Sequence, residues 1–176
     1  VEPEKAGAEF TLAVRYPGWC HQMQVKVNGI PVSGAVKTDK GYWMIQRRWQ
    51  PGDTVSCEME TEPERVYAHP MVRADAGCVA LRRGPIIYTF EGVDNGEELQ
   101  TLRIPREAKI EALSYQADLL EGTVALRVTG CRKKAAVNPA LYAEDAAPEK
   151  MVTLQAIPYY AWCNRGMTHM RVWMQE

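Results

Sequence analysis

The sequence has 176 residues, 46% of them hydrophobic and 24% charged, which is enough for one domain or two small ones and excludes a disordered tail. With 21 basic and 22 acidic side chains the formal net charge is −1. Neither sign gathers into the basic stripe of a nucleic-acid binder, and no apolar run approaches the ~18–20 residues of a membrane helix.

Period-two alternation dominates the chain and predicts strands throughout. Phe10, Leu12, Val14 and Tyr16 share one face of the first. Met23, Val25 and Val27 repeat the pattern and run into Asn28-Gly29, a hairpin signal because both residues tolerate positive φ. Tyr42 to Trp49 places Trp43, Ile45 and Trp49 in phase. Pro51-Gly52-Asp53 then turns the chain into Thr54–Glu60, with Val55, Cys57 and Met59 directed inward. In the second half, Cys78–Arg83 and Ile86–Glu91 are predicted strands joined through Gly84-Pro85, and Asp94-Asn95-Gly96 is a predicted turn. Thr123–Thr129, Met151–Ile157 and Met170–Met174 supply three more strands. Pro105–Gln116 carries the Glu, Ala, Lys and Leu content of a helical turn, and Pro139–Lys150 reads as a loop. The expected architecture is all-β, with two small antiparallel β-sandwiches of jelly-roll or immunoglobulin-like type and little or no helix. The first covers residues 1–73 and the second residues 74–176. The chain opens on Val1 and reads as a piece of a larger protein, its first sandwich lacking its earliest strands. An edge left open in that way predicts self-association through the first sandwich, by edge pairing or by exchange of Val1–Tyr16.

Little in the sequence points to chemistry of its own. Cys20, Cys57, Cys78, Cys131 and Cys163 are widely and irregularly spaced, without the short ligand pairs of a local zinc site. Their odd number fits reduced thiols packed as small hydrophobes, and so favours a cytoplasmic setting. His21, His69 and His169 fall at strand ends. Ser33, Ser56 and Ser114 lack a nucleophile elbow, and Arg83-Gly84-Pro85 has too few amide donors to cradle a phosphate. No catalytic residue and no metal ligand is assigned. The aromatic content is more informative, with 5 Trp and 8 Tyr against 2 Phe. Polar-tipped rings suit half-wet surfaces, and they are densest in Pro158–Gly166. There Tyr159, Tyr160, Trp162, Asn164 and Arg165 are candidates for an interface or for sugar contact. The alternative is a strand that packs its rings into a sandwich and ends in a turn.

Six strings, in order, resemble glycoside hydrolase family 127, the β-L-arabinofuranosidase type. They are Leu12–Cys20, Val27-Asn28-Gly29, Gly41-Tyr42-Trp43 with Ile45 and Arg47–Asp53, Val79–Tyr88, Asp118–Gly122 and Pro158–Gly166. The resemblance implies a parent with an (α/α)6 catalytic barrel followed by β-sandwiches, of which this chain is the sandwich part. It also implies that the catalytic zinc, its ligands and the nucleophile reside in the barrel. No cofactor is then expected in this region, and Cys163 is not to be taken for the family's nucleophile. The expected role is non-catalytic, a brace for the barrel and for a possible homo-oligomer, without nucleic-acid or membrane partners. The competing readings are a carbohydrate-binding module and an immunoglobulin-like adhesion module.

Overall fold

The computed structural model describes residues 1–32, 36–37, 40–134 and 141–176. Ser33 and the first two residues of the expected 139–150 loop lie outside the described residues. The chain is all-β and divides into two compact units, Val1–Thr61 and Glu62–Glu176. The division falls ahead of the expected 73/74 because Pro63–Val66 pairs with Cys78–Arg83 and so belongs to the second unit.

The first unit contains β1 (Ala8–Arg15), β2 (Met23–Val27), β3 (Ile30–Pro31), β4 (Val36–Lys37), β5 (Tyr42–Trp49) and β6 (Val55–Met59). They form two three-stranded sheets, ordered β1-β5-β4 and β3-β2-β6. Met23, Val25 and Val27 from one sheet and Ile45 and Trp49 from the other bury into a single core with Tyr16 and Cys20. Two sheets sharing one core make a sandwich, as the alternation requires. The β2–β3 hairpin turns on Asn28 and Gly29, at φ 51° and 79°, a two-residue loop whose twist matches the strands it joins. The Asp53 carboxylate fixes the neighbouring turn. It accepts from the Gln50 amide at 2.8 Å and the Asn28 side-chain amide at 2.7 Å, and these bonds, the Gln50 one foremost, hold its pKa below the usual carboxylate range.

One inward assignment fails here. Cys57 stands opposite Val25 in the β2–β6 ladder, yet it is exposed. Strand β6 is the outer strand of its sheet, so phase alone does not bury it.

The second unit contains β7 (Pro63–Val66), β8 (Cys78–Arg83), β9 (Ile86–Glu91), a single helical turn α1 (Gly92–Asn95), β10 (Leu102–Arg103), β11 (Ile110–Ala112), β12 (Leu126–Lys133), β13 (Glu149–Pro158), β14 (Met170–Arg171) and β15 (Met174–Gln175). Its ladder runs β14-β9-β13-β12-β10-β15-β8-β7, and a further β8–β9 pairing returns the path on itself. The closed ladder wraps one core that includes Val79, Leu81, Tyr88, Phe90, Leu102, Leu126, Val128, Leu154 and Met174. Gly130 lets this packing close, since a Cβ there would lie 2.4 Å from Leu154 Cδ1 and 3.0 Å from the Arg103 carbonyl oxygen.

Four local expectations are corrected in this unit. The helical turn over Pro105–Gln116 is replaced by β11, whose Ile110 and Ala112 pair with Val128 and Leu126. An available strand edge outweighs helix propensity. Asp94-Asn95-Gly96 is the end of α1 rather than an isolated turn, with Gly96 at φ 79° closing it. Glu149 and Lys150, expected in a loop, extend β13 and pair with Lys133 and Arg132. Met170–Met174 splits into two strands, because β14 adds to β9 while β15 lies between β8 and β10.

All five cysteines are free thiols, but only Cys20 and Cys131 are buried, while Cys57 and Cys163 are exposed and Cys78 is intermediate. The expectation that all five pack as core hydrophobes is therefore corrected for the exposed pair. Partial loss of water around Cys57 pushes its thiol above the usual range. Native thiol titration is expected to label Cys163 and Cys57 first, with Cys57 accelerating only as the pH approaches its raised pKa. Cys20 and Cys131 should label only after denaturation. Equal native protection of all five thiols would refute this.

Candidate functional site

The Pro158–Gly166 segment leaves the end of β13, where Pro158 stands opposite Tyr88 of β9. A 3-10 turn over Tyr159–Ala161 follows. It aims the side chains in two directions. Ala161 is buried against Ala125 and Ile157, with Leu113, Leu119 and Leu120 packed around them. The rings face the other way, with Tyr159 44%, Tyr160 68% and Trp162 38% exposed. Tyr159 also lines a groove of about 570 Å3 with Ile87, Met170 and Trp173.

The segment is held from behind by a buried ionic network. Cys163 adopts φ 64°, which turns its amide to donate to Glu91 Oε1 at 2.6 Å. Glu91 is 1% exposed. Its other oxygen accepts from Arg165 Nη2 at 2.5 Å, and the same guanidinium donates through Nη1 to Asp94 Oδ1 at 2.8 Å and through Nη2 to Asp94 Oδ2. These bonds, the Asp94 pair foremost, raise the arginine pKa further above its ordinary value. Asn95 extends the network into the sheet. Its side-chain amide donates to the Glu91 and Gln155 carbonyls, and its Oδ1 accepts from the Gln155 amide. A buried carboxylate is tolerated only when it is paired and fully hydrogen-bonded, and Glu91 meets that condition.

The five candidate residues therefore divide. Tyr159, Tyr160 and Trp162 present rings to the surface. Arg165 is turned into the molecule, and Asn164 spends its amide on the Ala161 carbonyl at 3.1 Å. The residues that sequence reading passed over are Glu91, Asp94 and Asn95. Their one signal is a glutamate closing the apolar run Ile86–Phe90, a place that calls for a distant cation.

Among the described residues no group of three or more His, Cys, Asp or Glu side chains could hold a metal ion. Likewise, no helix among them is long and apolar enough to cross a membrane.

Two compact β-units, the second carrying an aromatic surface on an ion-paired support, define a pair of all-β domains. Residues 2–61 match the β-L-arabinofuranosidase family 127 middle domain, and residues 63–175 match the glycoside hydrolase family 127 C-terminal domain. The chain belongs to glycoside hydrolase family 127. It is similar to a non-reducing end β-L-arabinofuranosidase of Bifidobacterium longum, 34% identical over 171 residues that cover 93% of this chain and 25% of that protein. It also resembles the crystal structure of a family 127 β-L-arabinofuranosidase from Geobacillus stearothermophilus T6, at TM-score 0.92 and 47% identity over 99% of this chain and 28% of that one. A further family 127 β-arabinofuranosidase structure matches at TM-score 0.81 and 31% identity, over 96% and 28% of the two chains. The chain thus spans about a quarter of the length of these relatives.

Proposed function

We propose that this chain is the non-catalytic accessory β-region of a β-L-arabinofuranosidase-like glycoside hydrolase, and that its aromatic surface braces the catalytic barrel of the parent. The observation that carries this reading is the Tyr159-Tyr160-Trp162 surface: large rings left in water on a segment locked from behind. Such rings are the residue types enriched where two protein surfaces meet, and a pre-set loop loses little entropy on docking. The parent's glycosidase chemistry then belongs to the barrel, and the 176-residue chain alone is inactive.

The test uses the full-length parent. Tyr160→Ser combined with Trp162→Ser is expected to lower the melting temperature of the barrel by about 4 °C or more, from the loss of two central interface rings. Migration of the parent through an arabinan-containing gel should not change. An unchanged melting temperature, together with gel retardation that the double variant abolishes, would replace the brace by a carbohydrate-binding module.

A further inference from the structure

Strand β1 carries the longest open edge of the first unit. It has eight residues, ends the order β1-β5-β4 and pairs with β5 alone among the described residues. The other outer strands are shorter, with two residues each in β3 and β4 and five in β6. Proteins blunt such edges with proline or an inward-facing charge, and Ala8–Arg15 has neither. Its inward residues are Phe10, Leu12 and Val14, and Phe10 is still 37% exposed. Glu9, Thr11, Ala13 and Arg15 on the other face are all exposed.

The backbone of this edge has a definite phase. The Tyr16 amide donates to the Gly41 carbonyl at 2.9 Å, which continues the β1–β5 register. Hydrogen-bonded and non-hydrogen-bonded positions alternate along an antiparallel ladder. Phe10, Leu12 and Val14 therefore turn their backbone groups toward β5, while Glu9, Thr11, Ala13 and Arg15 turn theirs outward. A strand that completes this edge must bond to those four residues.

We infer that β1 is a self-pairing edge, on which a second copy of this chain docks antiparallel about a two-fold axis at Leu12. That register sets Glu9 opposite Arg15 and Thr11 opposite Ala13, the four residues whose backbone groups point outward, so each pair can exchange both of its bonds. On the inward face Phe10 meets Val14 and Leu12 meets its own counterpart, extending the apolar face across both copies. A slip of two residues keeps the backbone phase but sets Glu9 opposite Ala13, or Arg15 opposite Thr11, and loses the charge pair. Any strand could take the backbone bonds, but a sequence whose charges complement themselves on reversal fits a second copy, in a closed two-fold contact. Within one copy Glu9 lies 3.7 Å from Arg48, and the Arg15 Nη1 donates to the Lys40 carbonyl at 2.8 Å. Such exposed contacts are weak. The contact is small, so the dimer is expected to be reversible. It is independent of the proposed brace, which lies in the second unit.

Sedimentation equilibrium of the 176-residue chain, with amide exchange read at high and low concentration, tests the pairing. A reversible dimer is expected, in which Thr11 and Ala13 lose protection about tenfold on dilution below its dissociation constant. Glu9→Lys should weaken association about tenfold, because two symmetry-related pairs become repulsive. Adding Arg15→Glu to that variant should recover most of the loss. Thr11→Pro removes an outward donor while sparing the bonds to β5, and should abolish the dimer. Continued protection of Cys20, buried in the core of the first unit, shows that the proline variant is folded. If Cys20 becomes reactive, the two charge variants decide alone. A chain that stays monomeric at millimolar concentration, or a dimer indifferent to the charge reversal, overturns the inference. So does a dimer that survives Thr11→Pro. A dimer that persists on dilution and ignores the charge variants would be an exchange of Val1–Tyr16 instead. Dilution-independent protection of Thr11 and Ala13 in the full-length parent would give the edge to a strand of the parent itself, and that too overturns the inference.

Discussion

Replacing Arg165 by alanine is expected to destabilise the second unit by about 3 kcal/mol, the lower end of the range for breaking a buried pair from one side. The lower end applies because the Arg165 side chain keeps 22% of its surface in water. The loss is still large because Glu91 cannot follow it there. That carboxylate stays at 1% exposure and keeps the Cys163 amide as a donor, and an uncompensated buried charge costs more than the pair contributes. Arg165→Lys should recover only part of the loss, since a single ammonium cannot reproduce the fork that reaches Glu91 and Asp94 together. Glu91→Gln removes the charge along with the need for its counter-ion. The double variant with Arg165→Ala is therefore expected to fall short of the sum of the two single losses by at least about 1 kcal/mol. Denaturant unfolding of the four proteins measures this cycle. An Arg165→Ala variant within 1 kcal/mol of the parent sequence, or strict additivity, would mean that the network carries no coupling.

The same network shows what local pattern can and cannot reveal. Strand phase was legible wherever a sheet face meets a core. Trp43, Ile45 and Trp49 turn inward as their spacing requires, and Asn28-Gly29 makes the hairpin that its tolerance of positive φ allows. Phase does not report position within a sheet, so Cys57 shares the inward register of Val25 and is exposed at the edge. Nor does composition report which edge is available. Ile110 and Ala112 join β12 although their surroundings have helical content. Of the candidate site, the rings were legible as a dense aromatic run. The roles of Asn164 and Arg165 were not, because they depend on partners far away in the chain. Arg165 is separated from Glu91 by 74 positions, and no spacing rule connects an arginine in one loop with a glutamate at the end of another strand. Closure of the second ladder is hidden for the same reason, since it rests on the parallel pairing of Arg103 in β10 with Gln175 in β15.

A Trp49→Ala variant is expected to show the largest effect in the first unit, about 3–5 kcal/mol, the usual cost of emptying a buried aromatic site. Trp49 has no exposed surface and makes three contacts with two neighbours. Its ring stacks on Phe10 with centroids 5.7 Å apart, the Arg47 guanidinium lies 5.2 Å from its centroid, and its indole N–H donates to the Phe10 carbonyl at 3.0 Å. Alanine would leave a cavity between β5 and β1. A unit of about 60 residues holds only roughly 3–9 kcal/mol in total, so a loss of this size is enough to unfold it. Every residue of the core that Trp49 completes lies within Val1–Thr61, which is where the unfolding should appear. Cys20, 4% exposed in that core, should become reactive toward a thiol reagent under native conditions, while Cys131, buried in the second unit, stays protected. Trp49→Phe should retain most of the packing and lose the indole bond, costing about 1–2 kcal/mol without exposing Cys20. A Trp49→Ala protein whose Cys20 remains unreactive and whose unfolding midpoint matches the parent sequence would show that the first sandwich does not depend on this ring. Parallel exposure of Cys20 and Cys131 would show instead that the two units unfold together.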